Sequence, residues 1–242
     1  MENIKLRDNL LKLYDQFFKD MGVDPQTGIV KGTSKRFTGY PYIGRNYCNA
    51  PIRILFIPYD CGKDECLNGN TFHSFESREG IFPDGMLDFK PHIAGTYASA
   101  LYILKNVMNL QHSWESLWNM REKFKTAKAI KECYSDLPKD LMSYIAHENR
   151  YRFVTIGRCG RSGGEDRVWI NAARESQMLV DEISALYPDA IVFQGKRGID
   201  NCCILELKKK YKVIVMDHPS SWRNGGDKLQ YIVNEMQKQL DI

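Results

Sequence analysis

Apolar residues follow two rhythms along this chain. In NIKLRDNLLKLYDQFFKDMG (residues 3–22), Leu6, Leu10, Leu11, Tyr14, Phe17, Phe18 and Met21 recur at spacings of three and four. That period predicts an N-terminal helix with one apolar face, closed by Gly22. Residues 22–52 show no clear period and read as a long irregular connection. Four short runs rich in β-branched and aromatic residues follow: RILFIPY (53–59), YRFVTIG (151–157), DAIVFQG (189–195) and YKVIVMD (211–217). Their near-continuous hydrophobicity predicts strands buried on both faces. Helical patterns lie around 93–110, 137–147, 172–187 and 198–210, with a last one around 226–241. Strands alternating with helices predict a three-layer α/β/α sandwich around a central, mainly parallel four-stranded sheet. In such sheets ligands bind outside the carboxyl ends of the strands.

Length and composition narrow the picture. At 242 residues the chain fits one domain, 1–242, with the N-terminal helix and long connections at 22–52 and 62–90. No apolar run approaches the roughly 20 residues of a membrane helix, and MENIKLRDNL lacks a signal-peptide core, so a cytoplasmic protein with no membrane partner is expected. A monomer is the separate expectation for its assembly. The seven cysteines are scattered, with no Cys-x-x-Cys pair, which argues against a disulfide framework and against a zinc ribbon. No metal or cofactor is expected. A net charge of +4 permits nucleic-acid binding without requiring it.

The four strand ends read IPYDCGKDE (57–65), TIGRCGRSGGED (155–166), FQGKRG (193–198) and MDHPSSWRNGG (216–226). All four carry Gly and all four carry Arg or Lys, a lip suited to phosphates. Neither G-x-x-x-x-G-K-[ST] nor G-x-G-x-x-G occurs at a strand-to-helix turn, which sets aside the nucleotide loops.

Together these ends resemble the uracil-DNA glycosylase superfamily. ILFIPYDCG (54–62) is similar to its strand running into G-x-[ND]-P-G or G-x-D-P-Y, and HPSS (218–221) to its H-P-S-P motif. KPHIAGTYASAL (90–101) is similar to a P-F-x-G-x-A-G helix entry, and QMLVDEISALYPDAIVFQGKRG (177–198) to a helix followed by P-x-x-I-V-x-x-G. The resemblance covers well over a third of the chain, in order. It implies a uracil-DNA glycosylase-like fold, a DNA partner and a role in repair by base excision. Thr155 falls near the position of the superfamily's base-reading Asn at the end of its second strand, and His92 near that of a stacking Phe. Only Cys159 lies near an iron–sulfur ligand position, so no cluster is expected.

Breaking an N-glycosidic bond builds positive charge on the sugar and negative charge on the leaving base, and a catalyst must meet both. The resemblance implies Asp60 beneath the sugar, orienting water, and His218 donating to the base oxygen. Tyr59, Cys61, Gly62, His92 and Thr155 would line the base pocket. Ser220, Ser221, Arg223, Arg158 and Lys196 would hold DNA, and Trp222, four positions after the His, would fill the gap left by a flipped base. Blander roles compete: Asp60 capping a turn, His218 a satisfied strand-end His, Trp222 packing under the last helix, and Arg158 in a solvated loop.

The expected function is therefore a monofunctional DNA glycosylase acting on a damaged or deaminated base. The substitutions at Thr155 and His92 motivate a second expectation, a catalytically silent nucleobase or nucleic-acid binder of the same fold. The mild net charge motivates a third, an α/β enzyme acting on free nucleosides or nucleotides.

Overall fold

The computed structural model describes residues 2–59, 72–80, 91–104, 108, 140–156, 169–195 and 201–216. The N-terminal helix forms as its pattern predicts: α1 spans Glu2–Met21, with Leu10, Tyr14, Phe17 and Phe18 buried, while Leu11 stays partly exposed at the edge of that face. Gly22 ends it with φ +64°, a conformation that favours a residue without Cβ.

The segment beyond α1, expected to be irregular, contains strands β1 (Lys35–Phe37) and β2 (Tyr42–Ile43). Then come β3 (Ile54–Pro58), helix α2 (Pro91–Leu104), β4 (Ile145–His147), β5 (Phe153–Thr155), α3 (Ala172–Leu186), β6 (Ala190–Gln194), α4 (Asn201–Lys208) and β7 (Lys212–Met216).

The central sheet has the order β2-β4-β3-β6-β7. β4, β3, β6 and β7 are mutually parallel, and β2 adds antiparallel at the edge through Tyr42 opposite His147 and Ile43 opposite Ala146. The sheet is therefore mainly parallel, as expected, but has five strands among the described residues rather than four.

Its second parallel strand is also not the expected one. YRFVTIG does not join the central sheet: β5 pairs antiparallel with β1 in a separate two-stranded sheet, Phe37 facing Phe153 and Lys35 facing Thr155. The place beside β3 is taken by β4, within the stretch 137–147 whose pattern suggested a helix. Residues 140–147 instead form a short 3-10 turn, Leu141–Tyr144, and then the strand. Three residues are too few to display a period of two, and β4 is fixed by its neighbours on both sides rather than by its own pattern.

Side chains alternate across a strand, which sorts the two faces of the sheet. Leu55, Ile57, Ala146, Ile191, Phe193 and Val213 enter one core with α1, α3 and α4. The opposite face holds Gln194 and Met216, and α2 covers it: Thr96 hydrogen-bonds Gln194, and the Ser99 hydroxyl lies 3.9 Å from the Met216 sulfur. Helices thus lie on both faces. β3 and β6 are buried along their whole length, which accounts for their unbroken apolar runs.

The small β1–β5 sheet is held by aromatic packing. Phe37 meets Tyr14, Phe18, Tyr40, Phe72 and Phe153 at centroid separations of 5.0 to 6.2 Å. Edge-on and tilted arrangements of this kind add to simple burial. They pin β5 against α1, off the central sheet. Among the described residues no helix is long and apolar enough to cross a membrane.

Candidate functional site at the carboxyl ends of the central strands

The strand order fixes where a site is expected. From β3 the chain passes to β4 on one side and later returns to β6 on the other. The connections therefore diverge between β3 and β6, the topological switch point of an open parallel sheet.

Tyr59 follows β3 and Gly195 follows β6. The Tyr59 ring lies against Gly195, so close that a Cβ there would stand 2.3 Å from the ring. Gly195 has φ +138°, and its N–H donates to the Met216 carbonyl at 2.8 Å, which ties the end of β6 to the end of β7. The seat of the ring thus depends on a residue with no side chain.

Gln194 occupies the other face at the same level and is 1% exposed. Its Nε2 donates to Thr96 Oγ1 at 2.9 Å, and its Oε1 lies 3.2 Å from the same hydroxyl. This contact holds the middle of α2 over the strand ends. His92 lies in the first turn of α2, with its side chain outside the described part.

Beyond β4 the chain continues along β3. Glu148 N–H donates to the Phe56 carbonyl at 2.9 Å, Arg150 to Pro58 at 2.9 Å and Tyr151 to Tyr59 at 2.7 Å. Asn149 therefore stands at the end of the second parallel strand. It is 2% exposed, and its Nδ2 has no hydrogen-bond partner among the described residues. A buried amide donor left unpaired costs free energy comparable to a lost hydrogen bond, a cost that an acceptor on a bound ligand would relieve. Gln194 lies two strands away, about 10 Å at the usual strand spacing.

Behind this rim is a buried ionic cluster. The Arg152 guanidinium contacts Glu148 with one terminal nitrogen and Glu182 of α3 with the other, and Tyr14 of α1 donates its hydroxyl to Glu182. Arg152 Nη1 also lies 3.3 Å from the Tyr14 oxygen. Burial is the main reason that the Glu148 carboxyl is pushed well above the usual range, and it raises Glu182 as well; Arg152 opposes both shifts. Burial likewise raises the Tyr14 phenol.

Towards the β5 side, Tyr151 packs on Trp169 with centroids 4.7 Å apart, and the Arg150 guanidinium lies 5.7 Å from the Tyr151 ring centre.

The expected site residues divide accordingly. Tyr59 is at the switch point. Thr155, expected at the end of a central strand, sits in β5, where the Lys35 ammonium donates to its hydroxyl at 2.7 Å. The position it was expected to fill, at the end of the second parallel strand, is occupied by the Glu148–Asn149 pair. Asp60, Cys61, Gly62, Arg158, Lys196, His218, Ser220, Ser221, Trp222 and Arg223 lie outside the described residues. In sequence, Asp60 is two residues beyond β3 and His218 two beyond β7.

Asn149, Gln194 and the Glu148–Arg152 pair were missed from the sequence. The signal for Gln194 was an amide closing an otherwise apolar run, VFQG. Asn149 had none, lying two residues past a stretch, 137–147, whose pattern suggests a helix.

Among the described residues no three or more His, Cys, Asp or Glu side chains are grouped to hold a metal ion. Comparison with protein-family models and with curated proteins finds no match to this chain.

Proposed function

We propose that this protein hydrolyses the N-glycosidic bond of a damaged or deaminated base in DNA, in the manner of the uracil-DNA glycosylase superfamily. The observation that carries the proposal is Asn149: a buried carboxamide with an unspent donor at the end of the second parallel strand, beside the switch point. A flipped base is read by hydrogen bonds to its edge, and a carboxamide offers both a donor and an acceptor for that purpose.

Asp60 and His218 complete the site in this proposal. In sequence they follow β3 and β7, strands separated by β6 alone, whose ends stand about 10 Å apart at the usual strand spacing. That span suits one nucleotide. Asp60 orients a water towards the anomeric carbon of the deoxyribose. As the carbon–nitrogen bond breaks, its electron pair leaves with the base, and His218 stabilises the negative charge on the base oxygen. The water supplies the new hydroxyl on the sugar, and its proton passes to Asp60. The products are a free base and an abasic site.

The silent alternative drew on the substitutions at Thr155 and His92. A carboxamide at the end of β4 supports base reading, which catalyst and silent binder share, so activity alone separates the two. Duplex and single-stranded oligonucleotides carrying uracil, hypoxanthine, xanthine or a mismatched pair, treated with the protein and then with alkali, test the proposal. Scission at one of these lesions is expected. Turnover of free nucleosides with no scission of any oligonucleotide would replace it with the small-molecule alternative.

A further inference from the structure

The ionic cluster behind the rim is more elaborate than packing requires. Glu148, Arg152 and Glu182 are each no more than 1% exposed at the side chain, and Tyr14 is fully buried. Burying two carboxylates and a guanidinium carries a heavy desolvation cost, and apolar residues of similar volume often serve stability equally well or better. What a charged set adds is direction. A guanidinium has a planar fork that two carboxylates engage only from fixed angles.

Here the fork joins three separate elements. One branch holds Glu148 at the end of β4, and the other holds Glu182 on α3. Tyr14 ties Glu182 to α1. Glu148 passes the constraint on: its Oε1 accepts the backbone N–H of Asn149 at 2.8 Å. Glu148 and Arg152 engage Glu182 of α3 and Tyr14 of α1, and Ala146, two residues before Glu148, enters the same core. The pairing with β3 that continues through Glu148 and Arg150 extends the alternation, which assigns Asn149 to the opposite face. The backbone of Asn149 is thus held from one face while its carboxamide remains available on the other.

We propose that Arg152, Glu148, Glu182 and Tyr14 are positioning residues for Asn149, fixing the angle at which its carboxamide meets a ligand at the ends of β4 and β3. None of the four touches that ligand. The proposal rests on Asn149 being the base-reading group, but it deepens that role by naming what aims it.

The test uses the whole protein, labelled on Asn149 for amide NMR, in wild-type form and as Tyr14→Phe and Glu182→Gln. Tyr14→Phe removes a single hydroxyl and keeps the ring, so it provides a folded comparison should Glu182→Gln fail to fold. The Asn149 side-chain amide signals are expected to shift and broaden in each folded variant. Discrimination between the preferred lesion and its undamaged counterpart, as a ratio of kcat/KM, is expected to fall about tenfold, with most of the loss in KM.

Unchanged Asn149 signals in a folded variant would overturn the positioning role, whatever the activity shows. Shifted signals with unchanged discrimination would overturn it too. If the wild type cuts no lesion, the glycosylase proposal fails by itself, and the amide signals still decide whether the cluster aims Asn149.

Discussion

The Tyr59 ring covers Gly195 so closely that a methyl group on the glycine would stand 2.3 Å from ring carbons Cε2 and Cζ and 2.7 Å from the hydroxyl oxygen. The two residues end adjacent parallel strands, β3 and β6, at the point where the strand connections diverge. Asp60 is the next residue after Tyr59.

Gly195→Ala is expected to do damage in two ways. The backbone at φ +138° is one that L side chains rarely adopt, a strain of about 1–3 kcal/mol, and the new methyl forces the ring aside. Urea denaturation should show the lower stability, and lesion cleavage should fall with it. A variant as stable and as active as the wild type would mean that the close seat has no role.

Asn149→Ala should behave in the opposite manner. Its Nδ2 makes no hydrogen bond among the described residues, so removing that donor breaks no such contact. Stability is expected to change by less than about 1 kcal/mol, within the ordinary range for a substitution that leaves no unpaired partner behind. Base discrimination should collapse. A large loss of stability with unchanged discrimination would make Asn149 a structural residue.

How much of this was legible in the sequence differs from element to element. The spacing of Leu10, Tyr14 and Phe17 revealed α1, and the apolar runs ending in Pro58 and Gln194 revealed β3 and β6, because long helices and doubly buried strands carry their own pattern. β4 was illegible. Ile145–His147 is too short to show a period, and its burial comes from β2 and β3 on either side. YRFVTIG has strand composition but no mark of which sheet it joins; Phe153 is drawn off by Phe17 and Phe37. That one exchange put Thr155, rather than Asn149, at the expected end of the second strand. The ionic cluster was illegible for a similar reason: Glu148, Arg152, Glu182 and Tyr14 are distant in sequence or unremarkable in spacing, and only the packing of α1 on α3 joins them.

Arg152→Met removes a cation that contacts both Glu148 and Glu182 while keeping much of the volume. Breaking a buried set by removing one partner is expected to cost about 3–5 kcal/mol, read from the shift in denaturation midpoint. The double variant Glu148→Gln with Arg152→Met should recover part of the loss, since it leaves one fewer uncompensated carboxylate. A single variant as stable as the wild type would contradict the role given to Arg152.

Stability should also depend on pH through Glu148. The groups around it are Arg152, Glu182, Arg78 and Tyr14, and burial raises its carboxyl above the unfolded value of about 4.3. A raised carboxyl binds its proton more tightly in the folded state, so its contribution is complete below the unfolded value and is lost as pH rises through the folded one. The wild type should therefore lose stability relative to Glu148→Gln from about pH 4.3 upward. Asp20 and Asp189, which are lowered by Arg174 and Arg53, act in the opposite sense but are common to both proteins. A constant difference between the two proteins across this range would contradict the burial of an ionisable Glu148.

The central claim is that an N-glycosidic bond is cleaved at the ends of these strands. Its most direct measurement is single-turnover release of the base from the preferred lesion oligonucleotide by the wild type and by Asp60→Ala, with both proteins shown to fold and to bind the same DNA. The account predicts lesion-specific abasic product from the wild type and a loss of about a hundredfold or more in rate for the variant, the scale of removing one group that acts on the transition state. Equal rates in the two proteins, or no base released by the wild type from any of the lesions, would contradict it.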